Sequence, residues 1–327
     1  PDSLAINKYL RQMVDQGVAY CFMEVSSHGI DQKRTEGLHF AGGIFTNLSH
    51  DHLDYHTSFK QYRDVKKSFF DGLPKTAFAL TNADDKNGPV MLQNTKARKY
   101  TYALKTIADY KAQILENQLQ GLLLKINNQE LWVKLIGNFN AYNLLAIYAT
   151  AEQLGLEELE ILQLLSTLES VDGRFQYLVS EGKITAIIDY AHTPDALKKV
   201  LQTLKNQTDG NLICVFGCGG DRDAGKRKDM AEIASNLADI NFITSDNPRN
   251  ESPGKIIKEI SKHMKGSYRI EFDRHKAIEK AIMNAKKDDV VLIAGKGHET
   301  YQEIKGIKHP FSDQTCARKA LKVYKAS

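Results

Sequence analysis

The chain has 327 residues, enough for two domains of the usual ~100–200 residues, each with a core of its own. Apolar residues make up 42% and charged residues 26%, which separates it from disordered, collagenous and membrane-embedded chains. Its 44 Lys and Arg against 40 Asp and Glu leave a net charge of +4, too slight to argue for nucleic acid or an anionic membrane, so any anionic ligand must be held by local groups.

In chain order, Ile6, Tyr9, Leu10, Met13 and Val14 recur at helical spacing ahead of Gly17, which predicts an amphipathic helix over 4–16. Tyr20–Val25 and Gly43–Leu48 are short apolar runs that end in polar loops, as strands do when a site lies at their carboxyl ends. A helix over 58–70 and the run Thr76–Leu80 continue this βαβ alternation. Residues 111–136 break it, with short alternating runs around Asn127-Asn128 that predict a small antiparallel subsheet. Asn138–Leu154 reads as a strong helix closed by Gly155, with a second helix reaching Leu168.

After Val171-Asp172-Gly173-Arg174-Phe175 the alternation restarts. Apolar runs at 184–188, 211–216, 240–244, 268–272 and 289–294 each lead into helical periodicity, which implies a second open, mostly parallel sheet. The expected domains are therefore 1–177 and 178–327. Cys21, Cys214, Cys218 and Cys316 have neither CxxC spacing nor the density of a disulfide scaffold, and read as reduced thiols. The start, Pro1-Asp2-Ser3-Leu4, has no signal-peptide pattern and no initiator Met, so a cytoplasmic protein truncated at its N-terminus is expected.

Chemistry concentrates in a few segments. Asn47–His56 packs His50, His52 and His56 with Asp51 and Asp54 into ten residues, a set able to ligate a divalent cation or to form a hydrogen-bonded polar loop. Glu24 ends the preceding apolar run and is a candidate Mg²⁺ ligand if the two strands are neighbours; otherwise it is a solvated strand end. Phe216–Arg227 resembles a phosphate loop through Gly220, Gly225 and Lys226. Arg227 stands where such a loop needs Ser or Thr, so it is not that motif. Its glycines still permit close backbone approach, and Arg222, Lys226 and Arg227 supply positive charge. Asp246-Asn247-Pro248-Arg249 and Gly295-Lys296-Gly297-His298-Glu299 follow predicted strands of the same sheet. There Arg249 could take a carboxylate, and Asp246 and Glu299 an ammonium.

Together these segments resemble the Mur ligases of peptidoglycan synthesis. The matching pieces are EVSSHG at 24–29, TNLSHDHLDYH at 46–56, YRDVK at 62–66, GNFNAYN at 137–143 and DGRF at 172–175. DYAHTPDAL at 189–197, FGCGGDRDAGKR at 216–227, DNPR at 246–249 and GKGHE at 295–299 complete the set. The resemblance implies an α/β fold: a central ATP-binding domain with a mostly parallel sheet plus an antiparallel subsheet, then a Rossmann-like domain that receives an amino acid. It also implies that a UDP-sugar-binding domain and a glycine-rich phosphate loop belong ahead of these residues, so a chain without them is expected to be inactive alone.

By the same resemblance, ATP as substrate and Mg²⁺ support addition of meso-diaminopimelate to UDP-N-acetylmuramoyl-L-alanyl-D-glutamate through an acyl phosphate. Glu24, His52 and Lys66 would serve catalysis and the metal, Lys66 as a carbamate. Ser26, Gln32 and Arg34 would hold the UDP-muramoyl peptide, and Asn140, Asn143, Arg174, Asp189 and His192 would hold ATP. Arg222, Asp246, Asn247, Arg249, Gly295 and Glu299 would form the diaminopimelate pocket. Lysine-adding relatives lack the Arg at the position of Arg249, and that guanidinium could reward a second carboxylate by ~1.5–3 kcal/mol. A monomer without nucleic-acid or membrane partners is expected. The alternatives are a lysine-adding ligase, a carbamoyl-lysine metal-dependent amidohydrolase and a nucleotide-binding module without activity.

Overall fold

The computed structural model describes residues 1–49, 55–180 and 184–324. The chain forms two compact units. The first holds Pro1–Asn117, Leu122–Val133 and Asn138–Thr167; the second holds Leu168–Ser327 with Gln118–Gly121 and Lys134–Gly137. Sequence reading set the boundary at 177, whereas the second unit takes up the chain at Leu168. Phe175 is buried, and Gly173 packs against the backbone of Gly297 and His298, which commits the 172–175 turn to the second unit.

The first unit runs α1 (Ser3–Asp15), α2 (Ser27–Asp31), β1 (Gly42–Phe45), α3 (Phe59–Asp71), β2 (Phe78–Asn82), α4 (Gly88–Met91) and β3 (Arg98–Ala103). It continues with β4 (Tyr110–Gln118), β5 (Gly121–Ile126), β6 (Gln129–Val133), α5 (Asn138–Gln153) and α6 (Glu158–Ser166). Its six strands lie in the order β1-β2-β3-β4-β5-β6, parallel from β1 to β4 and antiparallel between β5 and β6. Asn127 takes a left-handed φ of 52° in the β5–β6 turn, the conformation Asn tolerates best after glycine. The hairpin is thus as expected, but β4 joins it to the parallel strands instead of leaving it apart.

Helix α3 lays Tyr62 and Phe70 on Phe45, Leu73, Ala79 and Met91. Helix α5 buries Ala141, Leu144, Leu145, Tyr148 and Ala149 along one stripe and Ala146 and Thr150 beyond it, as a helix packed on both the sheet and α6 does. Tyr20–Val25 forms no strand, contrary to the sequence expectation. A ladder needs a partner, and here Tyr20 and Phe22 stay largely exposed while β1 ends its sheet with one edge unpaired.

The second unit runs β7 (Gln176–Val179), β8 (Thr185–Asp189), α7 (Pro194–Lys205), β9 (Leu212–Phe216), α8 (Gly225–Leu237), β10 (Ile240–Ile243) and α9 (Pro253–Ser261). It continues with β11 (Tyr268–Ile270), α10 (Arg274–Asn284), β12 (Val290–Ala294), β13 (Tyr301–Ile304), β14 (Ile307–Pro310) and α11 (Asp313–Val323). The sheet order is β11-β10-β9-β12-β8-β7, parallel except for β7. Strands β8, β9 and β12 are buried along nearly their whole length, as a sheet covered by helices on both faces requires. The chain skips past the place of β12 on its way from β8 to β9 and returns to fill it last. The carboxyl ends of β9, β10 and β12 therefore carry three loops toward one crevice. Among the described residues, no helix is long and apolar enough to cross a membrane.

Candidate active-site groups in each unit

In the first unit, Glu24 and Lys66 line one cleft of ≈ 400 Å³ between the 21–25 segment and β1, together with Cys21, Phe22 and Thr46. Lys66 projects from α3 and lies 5.7 Å from the centroid of the Tyr62 ring. Burial lowers the pKa of its ammonium, and the field of Glu24 opposes that shift without cancelling it. His52 lies outside the described residues, with His50, Asp51 and Asp54. His56 is a core group: it is buried, its Nε2 is 2.9 Å from the Ser27 hydroxyl, and its ring stacks on Tyr62.

Ser26 caps α2, its hydroxyl accepting the Gly29 N–H at 3.1 Å. Gln32 and Arg34 stand together just beyond that helix, the guanidinium donating twice to Gln32 Oε1 at 2.9 and 2.6 Å. Asn140 and Asn143 sit on the first turns of α5, with Asn143 Nδ2 donating to Asn140 Oδ1 at 3.0 Å. Between them, Tyr142 donates to Asp84 at 2.8 Å. Asp84 also accepts the N–H groups of Leu104, Lys105 and Thr106 and the Thr106 hydroxyl. Burial pushes the Asp84 carboxyl up, but the Tyr142 hydroxyl and these donors outweigh it and hold it well below the usual carboxylate range.

In the second unit, the residues expected at ATP surround Tyr190. The Arg174 guanidinium stacks 4.7 Å from its ring centroid, and the rings of His192 and His298 lie 4.7 and 5.4 Å away. Asp189 sits beneath them as a brace. Its oxygens accept Phe175 N–H and Ala191 N–H, both at 2.8 Å, and its carbonyl accepts Gly295 N–H at 3.0 Å. Burial raises the Asp189 carboxyl pKa, while those two N–H groups and Arg174 pull it back.

The expected amino-acid pocket assembles at the ends of β9, β10 and β12. Glu299 Oε2 accepts from Lys296 Nζ at 2.7 Å and Asn247 Nδ2 at 2.8 Å. Asp246 Oδ2 is buried, and among the described residues it has no hydrogen-bond partner. A Cβ on Gly295 would lie 2.7 Å from that oxygen, so only glycine leaves room beside it. Arg249 Nη1 donates to Gly220 O at 2.8 Å, and a Cβ on Gly219 would meet Arg249 Nη1 at 2.9 Å and Arg222 Cγ at 3.9 Å. Arg222 and Arg249 thus flank the same glycine.

Three further groups brace the expected pocket; sequence reasoning missed Arg274 and named Lys296 and Arg227 without their partners. Lys296 is fully buried between Asn247 Oδ1 and Glu299, and only its place inside GKGHE hinted at a role. Arg227 is buried in ion pairs with Glu251 and Glu259, bracing the 219–222 loop instead of offering charge to a ligand. Arg274 donates to Asp313 from Nε at 2.8 Å and from Nη2 at 2.7 Å, and Nη2 also donates to Ala294 O at 2.9 Å. Its Nη1 is 4.0 Å from Asp246 Oδ2. No spacing in the sequence links these partners.

Residues 1–151 match the Mur ligase middle domain, and residues 173–297 match the Mur ligase, glutamate ligase domain. The UDP-N-acetylmuramoyl-L-alanyl-D-glutamate:2,6-diaminopimelate ligase of Cytophaga hutchinsonii is 52% identical over 98% of this chain and 67% of its own length. The protein of that name from Phocaeicola vulgatus is 54% identical over 97% of this chain and 67% of its own. A solved structure of an enzyme of that name superposes with a TM-score of 0.65 at 36% identity, covering 98% of this chain and 68% of that one. The UDP-N-acetylmuramate-alanine ligase of Thermotoga maritima, at 22% identity and a TM-score of 0.62, shares the fold. The present chain spans about two thirds of the length of these curated relatives. Both halves match in order, and the relatives are more than half identical across nearly the whole chain, so the chain belongs to the Mur ligase family.

Proposed function

We propose that this chain forms the central and amino-acid-accepting parts of an ATP-dependent, ADP-forming ligase. The enzyme adds meso-diaminopimelate to UDP-N-acetylmuramoyl-L-alanyl-D-glutamate in the cytoplasm. The observation that carries the reading is the second unit's pocket, which brings opposite charges together on the 246–249 loop. Asp246 Oδ2 has no hydrogen-bond partner among the described residues, only the Arg274 charge at 4.0 Å, and suits an ammonium, while Arg249, beside Arg222, suits a carboxylate. A substrate with a carboxylate at its far end fits such a pocket better than lysine.

In the proposed reaction the D-glutamyl γ-carboxylate takes the γ-phosphoryl group of ATP to give an acyl phosphate, and ADP leaves. The amine of diaminopimelate attacks the acyl carbon, loses a proton, and phosphate departs as the amide forms. The first unit offers Gln32 and Arg34 to the anionic peptide precursor and the α5 asparagines to nucleotide. The second offers Arg174 to phosphate and the 246–249 and 295–299 loops to the amino acid.

The cleft holding Glu24 and Lys66 fits a Mg²⁺ site if Lys66 is carbamoylated, because an amine is not an oxygen ligand and a lowered pKa favours the neutral form that reacts with CO₂. Bound there, Mg²⁺ would neutralise charge on the transferred phosphoryl group. In ¹³C-bicarbonate, a carbamate resonance is expected that Lys66→Arg abolishes and that strengthens as pH rises; its absence would remove Lys66 from the metal site.

The function itself is tested with a protein carrying this chain intact, by following ADP release with the UDP-linked precursor and either diaminopimelate or lysine. Expected is a preference of at least about tenfold for diaminopimelate in kcat/KM. A lysine preference, or turnover without ATP, would sink the reading.

A further inference from the structure

The 246–249 loop is laced along β13 for its whole length. Gln302 Nε2 donates to Asp246 O at 2.6 Å, and Glu303 N–H donates to Asn247 Oδ1 at 2.9 Å. The Arg249 backbone pairs with β13 directly, its N–H donating to Glu303 O at 3.1 Å and its carbonyl accepting Lys305 N–H at 2.7 Å, a one-residue parallel bridge. That bridge holds Arg249 at a left-handed φ of 50°, a conformation costly for a residue with a long side chain. The side chain is gripped as well. Nε lies 3.3 Å from Glu303 Oε2, and Nη1 donates to Gly220 O at 2.8 Å. Among the described residues, no partner takes Nη2.

We infer that Glu303 is a positioning residue that sets the enzyme's selectivity for an amino acid bearing a distal carboxylate. It orients the Arg249 guanidinium so that Nη2 faces the ligand. An arginine side chain otherwise samples many rotamers, and its forked donors reward a carboxylate only when the plane is fixed in advance. The Glu303 carboxylate pairs by charge with the Nε edge, and Gly220 O accepts from Nη1. The donor edge left over is the one that can meet a ligand. Fixing it raises affinity for the diaminopimelate carboxylate and does nothing for lysine, whose chain ends without one. The inference rests on the assignment of Arg249 to the diaminopimelate pocket.

The test measures binding of diaminopimelate and of lysine to the intact chain by NMR titration, for the wild type and for R249A, E303A, E303M and E303Q. E303A and E303M are expected to weaken diaminopimelate about tenfold while lysine changes less than about twofold. E303Q, which keeps the side chain's shape but not its charge, is expected to restore only part of the preference. E303M retains the side-chain length on β13, so it decides the matter if E303A does not fold. If R249A abolishes the preference but E303A or E303M keeps it, or if both ligands weaken together, Glu303 has no positioning role. If R249A itself keeps the preference, the assignment of Arg249 fails first and the inference falls with it.

Discussion

Asp84 shows how much one carboxylate can organise. Five donors converge on it, four from the 104–106 turn and one from Tyr142, so it ties the loop after β3 to the first turns of α5, where Asn140 and Asn143 stand. Asp84→Asn replaces an acceptor with a donor facing donors, and a loss of about 2 kcal/mol is expected. Urea unfolding followed through Trp132, the lone tryptophan and a resident of the first unit, reads this directly. The effect has a defined pH dependence. Because the folded pKa lies below the ordinary carboxylate value of about 3.9, Asp84 stabilises the fold above that pH and loses its contribution as pH falls through that value toward the lower folded one. The gap between wild type and variant should be full at pH 7 and shrink below about pH 4; an equal gap at pH 3 would contradict the geometry.

Among elements, the 172–175 turn and the 295–298 loop depend most on each other. A Cβ on Gly173 would lie 1.9 Å from His298 N, and Gly173 already has a left-handed φ of 69°. Gly173→Ala therefore has to bear both backbone strain and overpacking, roughly 2–4 kcal/mol together. Calorimetry should show a lowered transition for the second unit, and an unchanged melt would mean the two loops do not pack. The helices and the buried strands of that unit were legible because periodicity records burial, and β8, β9, β10, β11 and β12 fall on the five apolar runs. Two elements were not. Tyr20–Val25 has the composition of a strand but no neighbour to pair with, and pairing is not a local property. Hairpin β13–β14 hid for the opposite reason: Gln302, Glu303, Lys305 and Lys308 give it no apolar face, since its task is to bond to the 246–249 loop and not to fill a core. The candidate residues inside motifs could be proposed in advance. The roles of Glu303, Arg227 and Arg274 could not, because each matters through a partner at least twenty-four residues away along the chain.

At the scale of the molecule, each unit closes over its own core. In the second, Ile184, Ile188, Val215, Phe242, Ile278 and Ile293 pack as one cluster. The cysteines report on this closure. Burial pushes the thiols of Cys214 and Cys218 up to about 12 and that of Cys316 up to about 11, while Cys21 is exposed. A thiol reagent at pH 8 should therefore label one cysteine quickly in the native protein and all four in denaturant. Rapid native labelling of a second would show that a core is open.

The Arg274–Asp313 pair lies inside that closed region, with both side chains at 0% exposure. Removing one member of such a pair strands a charge in a dry interior, a penalty of about 3–5 kcal/mol. The pair also grips Ala294 O, so the starts of α10 and α11 and the last residue of β12 are riveted to one another. Water would have to enter before any of the three could shift. The proposed amino-acid pocket consequently stands on a fixed floor, shaped by the reluctance of a guanidinium to lose its counter-charge and ready before any guest arrives.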